Sequence, residues 1–249
     1  MEDVTILIQG KITQETYNFY VEAYPQYPIV ISTWSNHQLD LSYFPNNLTI
    51  VQSHLPEKSG DQNMNYQFIS TLNGLSNVKT KYVIKFRGDE YFSNINTISE
   101  SIKSNPSKIW SAPIFFRHPL HFKYHISDHI IGGTIESLKF MYSAAKYAFD
   151  NELIFHVKDG VKHKYWEPEI HLTRSFLMAK YKTDLVNETP AEIMFENFDI
   201  LKLDKLKPYK VIANIFKTHW YSDFSPHNNE SIENINELFD EILPYNKWK

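Results

Sequence analysis

The sequence predicts an α/β protein built on a mostly parallel sheet flanked by helices. Three observations carry this. Short, continuous apolar runs recur through the first third of the chain, and each ends in polar or turn residues. Runs of about four to six apolar residues suit parallel strands covered on both faces. Helical patterns separate the runs, and a strand–helix–strand order repeated in this way is that of a doubly wound, Rossmann-like sheet. Finally, no Pro/Gly/Ser-rich linker, internal repeat or low-complexity segment divides the 249 residues, so a single domain over residues 1–249 is expected.

Val4-Thr5-Ile6-Leu7-Ile8 is a compact β-branched run that stops at Gln9-Gly10. The spacing predicts a helix from Thr13 to Ala23 with Thr13 as its N-cap. Pro28 to Trp34, Leu48 to Val51 and Lys81 to Phe86 read as the second, third and fourth strands. Between the last two lies Asp61 to Asn77, where Met64, Phe68, Leu72 and Leu75 share one helical face. Asp61 is the expected N-cap of that helix, and Asn63, Gln67 and Thr71 form a polar stripe on another face.

The second half is less regular. Lys108 to Phe116 reads as a strand, and Ile135 to Phe149 as a helix with Leu138, Met141, Tyr142, Ala145 and Phe149 on one side. Glu167-Pro168-Glu169 opens a further helix, with Pro168 in the favoured first position. Trp166, Ile170, Thr173 and Leu177 trace its buried side. Tyr209 to Trp220 reads as a late strand, and a closing helix is expected around Ile232 to Ile242.

Composition narrows the function. A hydrophobic fraction of 42% supplies a core, and the 15% of aromatic residues leaves rings for stacking on sugars or bases. With 25 basic and 29 acidic residues the formal charge is −4, which gives no electrostatic footprint for nucleic acid and no polybasic block for an anionic membrane. The absence of cysteine excludes disulfides, thiolate zinc sites and a Cys nucleophile, and fits a reducing compartment. The N-terminus lacks the basic and long apolar regions of a signal peptide. No apolar run approaches the roughly 18–20 residues of a membrane span. A cytoplasmic protein is expected, one that meets a membrane-borne substrate only peripherally.

The main chemical signal is Tyr82-Val83-Ile84-Lys85-Phe86-Arg87-Gly88-Asp89-Glu90-Tyr91, a buried strand running straight into an Arg-Gly-Asp-Glu turn. In open α/β sheets, ligands bind beyond the carboxyl ends of the strands. A carboxylate there can hold Mn²⁺ or Mg²⁺, which neutralises a diphosphate leaving group. Asp89 is the candidate ligand, with Glu90 as helper; the plain alternative is an Asp that only shapes a turn. Arg87 can itself bind a phosphate, because guanidinium matches phosphate geometry.

The ordered set of these pieces resembles the WavE-type lipopolysaccharide-synthesis glycosyltransferases. The resemblance rests on the first strand ending in Gln9-Gly10, on Val30-Ile31-Ser32-Thr33-Trp34, and on the helix from Asn63 to Leu75 with Gln67, Ser70-Thr71 and Gly74-Leu75. It continues through Lys85-Phe86-Arg87-Gly88-Asp89 and Ser127-Asp128-His129 followed by Gly132-Gly133. It covers roughly residues 4 to 178. It implies a GT-A-like fold, a nucleotide-sugar donor (UDP- or GDP-sugar) and a glycan or glycolipid acceptor. The chain departs from the pattern in two places. Tyr66 stands where the family helix usually carries Arg, and Arg87 and Tyr91 flank Asp89 where a GT-A metal motif has a second Asp.

On this reading the donor contacts are Gln9, Gly10, Thr33, Trp34, Gln67, Arg87 and Asp89, within a nucleotide-sugar half of residues 1–110. Residues 111–249 form the acceptor half. Asp128 precedes Gly132-Gly133, where backbone can approach a ligand, and is the first candidate for the base that takes the proton of an acceptor hydroxyl. Capping a helical turn is its alternative role. Glu169 is the rival base, although Glu in the first turn of a helix is also favoured by the macrodipole. The resemblance makes His219 a metal-ligand candidate beside Asp89 and Glu90. His118, His121 and His125 lack zinc-helix spacing and read as loop and acceptor-side residues. Two other functions remain open: a non-catalytic carbohydrate-binding module on the same fold, and a sugar nucleotidyltransferase. With only seven glycines the chain has no Gly-rich N-terminal loop to support the second.

Overall fold

A computed structural model describes residues 3–112, 124–153, 168–182, 190–200, 208–212 and 215–218. The β-branched run at the N-terminus forms β1 (Val4–Gln9), every residue of which is buried. Helix α1 (Gln14–Ala23) follows. Thr13 caps it: its side chain accepts from the Thr16 N–H, and the Thr16 hydroxyl accepts from the Thr13 N–H, a reciprocal capping box. Then come β2 (Ile29–Trp34), β3 (Leu48–Ser53), α2 (Met64–Leu75) and β4 (Tyr82–Arg87). The chain continues through β5 (Glu90–Phe92), α3 (Ile95–Ser104), β6 (Ile109–Ser111), β7 (Ile130–Thr134) and α4 (Ile135–Asp150). Helices α5 (Pro168–Tyr181) and α6 (Pro190–Asn197) and strands β8 (Phe198–Ile200), β9 (Pro208–Ile212) and β10 (Ile215–Thr218) complete the described elements.

Seven strands form one sheet in the order β3-β2-β1-β4-β7-β6-β8. Strand β7 runs antiparallel to both its neighbours, and the remaining pairings are parallel. This mostly parallel, helix-flanked sheet is the α/β architecture expected from the sequence. A small antiparallel sheet, β10-β9-β5, sits beside it. The strands divide their side chains by parity. Ile6, Ile8, Ile84 and Phe86 enter one apolar layer with the α1 and α3 residues Tyr20 and Ile98. Leu7, Val83 and Ile131 enter the other, with Phe68 of α2, Leu138 of α4 and Leu172 of α5. No described helix is long and apolar enough to cross a membrane.

Several expectations change. Asp61 does not cap α2: it starts a short 3-10 turn, Asp61–Asn63, and the N-cap is Asn63 in the left-handed region with no side-chain cap bond. The residues from Tyr209 onward make two antiparallel strands, β9 and β10, where one was expected. Gly132 lies inside β7, paired with Ile84 and Trp110, and a Cβ there would come within 2.4 Å of the Ile102 side chain. This glycine therefore lets α3 pack onto the sheet and does not serve the approach of a ligand. Of the strand expected at Lys108 to Phe116, β6 is the described part. Phe116, His118, His121, Trp166, His219, Trp220 and the closing helix around Ile232 lie outside the described residues. Helix α3, with Ile95, Ile98 and Ile102 on its buried side, was not anticipated.

Candidate active site at the switch point of the sheet

The chain winds from β1 outward through β2 and β3, then returns to place β4 on the other side of β1. Strand order reverses between β1 and β4, and at such a switch point a crevice opens beyond the carboxyl ends of the strands. Gln9 and Arg87 are register partners at that end, and Gln9 also pairs with Ser32. Two backbone bonds tie the loops there: Gly10 N–H to the Ser32 carbonyl at 3.0 Å and Gly88 N–H to the Gln9 carbonyl at 2.8 Å. A Cβ on Gly88 would lie 2.7 Å from the Lys11 carbonyl oxygen, so only glycine lets the two turns come this close. Gly10 itself has φ +114 and open space where a Cβ would stand.

Around this crevice the expected donor residues take definite places. Thr33 shares a 2.9 Å hydrogen bond with Nδ1 of His37. Trp34 is buried, and its ring packs 5.4 Å from that of Tyr66, so the tyrosine at the departed position serves as the indole's wall. Gln67, one residue on in α2, donates to Oδ2 of Asp128. Arg87 and Asp89 face each other, Nε to Oδ1 at 3.2 Å, with both side chains about two-fifths exposed at 42% and 39%. Burial works against the Arg87 charge, but Asp89, Glu90 and Asp128 outweigh it and hold the guanidinium protonated more firmly than usual. Such a half-exposed pair adds little stability.

Glu90 behaves differently from its neighbour. It is 1% exposed and its Oε1 pairs with Nδ1 of His129. Burial would discharge His129, but Glu90 outweighs burial and the imidazole pKa is raised. Glu90 therefore does not stand beside Asp89 as an open ligand. Among the described residues, no three His, Cys, Asp or Glu side chains form a group that could hold a metal ion. What remains is one half-exposed carboxylate, Asp89. That suits a cation held chiefly by substrate phosphates, since Mg²⁺ commonly takes one or two protein carboxylates and keeps its other positions for phosphate and water.

The structure brings both candidate bases into one electrostatic unit. Asp128 is buried, and burial alone would raise its pKa. Lys85, His129 and Arg87 outweigh that, with help from the Gln67 hydrogen bond, and the carboxyl falls below its usual range. Glu169 goes the other way: burial raises it first, and the Asp128 charge raises it further. The two environments thus drive the carboxyl pKa values apart, which is the pattern that divides roles between paired acids. Asp128 Oδ1 has no hydrogen-bond partner among the described residues.

Two groups were missed. Lys85 is fully buried and its Nζ donates to the Asp128 carbonyl at 2.8 Å. Its signal was present, as a charge in the middle of an apolar strand. The Glu90–His129 pair joins residues 39 positions apart, which no local pattern reveals. His171, by contrast, is structural: its Nε2 lies 3.0 Å from the Ala145 carbonyl and its ring stacks on Phe68.

Fold and site together define an α/β protein with a cluster of charged side chains at the switch point of its sheet. The chain belongs to the WavE lipopolysaccharide synthesis family, whose model matches residues 6–201. Among solved structures it is similar to TarS of S. aureus, at 13% identity and a TM-score of 0.41 over 85% of this chain and 37% of that one. This chain thus spans little more than a third of the TarS chain. It is also similar to HddC from Yersinia pseudotuberculosis, at 10% identity and a TM-score of 0.42 over 83% of this chain and 92% of that one. The same protein complexed with GMP-PN matches over 55% of this chain and 78% of that one, at 10% identity and a TM-score of 0.36. No curated protein matches the chain in sequence.

Proposed function

We propose that this chain is a glycosyltransferase of surface-polysaccharide synthesis. It takes a UDP- or GDP-sugar across the carboxyl ends of β1 and β4 and moves the sugar to a glycan or glycolipid hydroxyl. The family's role in lipopolysaccharide synthesis supports this. The observation that carries it is the convergence at the switch point of two opposite groups: the half-exposed Arg87–Asp89 turn, suited to a diphosphate, and the buried carboxylate of Asp128 with Oδ1 unpartnered. Gln9, Gly10, Thr33, Trp34 and Gln67 line the donor side, and residues beyond 110 supply the acceptor side. The cysteine-free composition favours a cytoplasmic setting, with a lipid-borne acceptor met at the membrane surface.

The chain's own residues divide the work. Arg87 matches a phosphate with two N–H donors and offsets the charge of the leaving diphosphate. Gln67 occupies Asp128 Oδ2 and leaves Oδ1 for the acceptor. As the acceptor oxygen attacks the anomeric carbon and the bond to the diphosphate breaks, Asp128 takes the hydroxyl proton. A divalent cation on Asp89 would neutralise further charge on the leaving group when bound.

The test is a panel of UDP- and GDP-sugars incubated with the protein and Mn²⁺. Free nucleoside diphosphate from one donor is the expected product, reduced when EDTA replaces the metal. Full activity in EDTA would leave the diphosphate to Arg87 alone. Formation of UTP or GTP and a sugar 1-phosphate when pyrophosphate is added to the same panel would make the protein a nucleotidyltransferase, and failure to bind any nucleotide would make it a carbohydrate-binding module.

A further inference from the structure

We propose that Lys85 is a positioning residue for the base: from inside the sheet it fixes the backbone at Asp128 and supplies the cation that faces the carboxylate. This rests on reading Asp128 as the base. Lys85 is fully buried on β4, with Leu7 and Ile131 as its register partners and the Tyr142 ring 5.9 Å from its ammonium. An ammonium is costly in such a layer, and a well-packed apolar side chain would serve stability as well or better. The explanation lies at the tip. Nζ donates to the Asp128 carbonyl at 2.8 Å, while Gln67 holds the same residue by its Oδ2. The backbone and one carboxylate oxygen are thus anchored from two different elements, β4 and α2.

The charges around Asp128 are mixed. Lys85 and Arg87 face it from β4, His129 follows it in sequence, and Glu169 and Tyr142 couple to it from α5 and α4. Glu90 of β5 pairs with His129 and also faces Lys85 and Arg87, and His125 offsets Glu169. Lys85 is first among the cations that counter the burial of Asp128. Burial in turn lowers the pKa of Lys85, opposed first by Asp128 and then by Glu90 and Glu169.

The variants are Lys85→Met and Lys85→Gln, with Lys85→Arg to restore the charge. Two readouts are needed. One is kcat, donor KM and the pH dependence of kcat. The other requires no substrate: carbon NMR titration of Asp128 in protein labelled at the Asp carboxyls, assigned with Asp128→Asn. Lys85→Met and Lys85→Gln should lower kcat about tenfold to a hundredfold, because the base is displaced. Donor KM should stay within about twofold, because a base acts in the transition state. The acid limb of kcat and the Asp128 midpoint should both rise by about one to three pH units, the usual effect of losing an opposite charge. Lys85→Arg should keep the midpoint near the wild-type value.

An unchanged Asp128 midpoint in the Met and Gln variants overturns the proposal, as does a loss confined to donor KM. If neither variant folds, the wild-type titration decides, since an Asp128 midpoint at or above the ordinary 3.8 leaves Lys85 no such role. A lowered midpoint that rises without Lys85, in a protein that turns over no donor, supports the coupling and refutes the transferase reading. The two therefore fail separately.

Discussion

Asp128 and Glu169 were rivals on sequence grounds, and in the structure the Asp128 charge adds to burial in raising the pKa of Glu169. Against its burial, Lys85, His129 and Arg87 lower the pKa of Asp128. Two interacting acids titrate as a pair, so apparent pKa values from a rate profile belong to both. The ionised member suits the base. Asp128→Asn should therefore cut kcat by about 10²–10⁴-fold and leave donor affinity almost unchanged. Glu169→Gln should cost far less, because its surroundings disfavour the ionised form that a base needs, whereas those of Asp128 favour it. Steady-state kinetics on the two variants checks this, and a large loss in Glu169→Gln alone would exchange the roles. Arg87, Asp89, Gln67 and Asp128 could be singled out from the sequence because each stands at the end of a recognisable element or beside a distinctive dipeptide. Lys85 left a signal, a lone cation in an apolar strand, but its meaning depends on a long-range partner that the sequence does not show. Glu90 was hard to place for the same reason: its neighbour Asp89 is half-exposed, while Glu90 turns inward to His129.

The elements form where local chemistry and the apolar period agree. Thr13 and the apolar face of α1 point to one helix, and the capping box is present. At α2 the face was legible but the start was not. The turn before the helix holds Gly60, Gln62 and Asn63 at positive φ, and no side-chain cap marks the boundary. Strand β7 was illegible because two glycines in an apolar run suggest a ligand loop, whereas at Gly132 the close neighbour is Ile102 of α3. Helix α5 carries the clearest pH-sensitive contact outside the site. Burial pushes the pKa of His171 below its ordinary 6.5, opposed by the bond to the Ala145 carbonyl. For a base with a lowered folded pKa, the folded state binds fewer protons than the unfolded one. The His171 contribution to stability is thus complete above about pH 6.5 and is lost as pH falls towards the folded pKa. His171→Phe keeps the stacking on Phe68 and cannot be protonated. Thermal unfolding at about pH 7.5 and pH 5 should show a smaller acid-induced loss in the variant than in the wild type. An equal loss would mean that other groups govern the acid lability of the α2–α4–α5 layer.

At the scale of the whole molecule the decisive feature is the winding order. Returning β4 to the inner side of β1 puts Gln9 and Arg87 at neighbouring strand ends, and the antiparallel β7 brings Asp128 and His129 to the same edge of the sheet. The parallel half of this arrangement follows from the alternation of strand and helix patterns. The order of the second half does not, because β6 and β8 are three-residue strands whose partners lie far away in the chain. The central claim is that this edge is a nucleotide-sugar site with Arg87 on the diphosphate. A calorimetric titration of UDP and GDP into wild type and Arg87→Gln tests it most directly. One nucleotide should bind the wild type, and Arg87→Gln should weaken it by about tenfold or more, since hydrogen bonds to charged groups contribute about 1.5–3 kcal/mol. A nucleotide that binds both proteins equally, or neither nucleotide binding the wild type, would contradict the account.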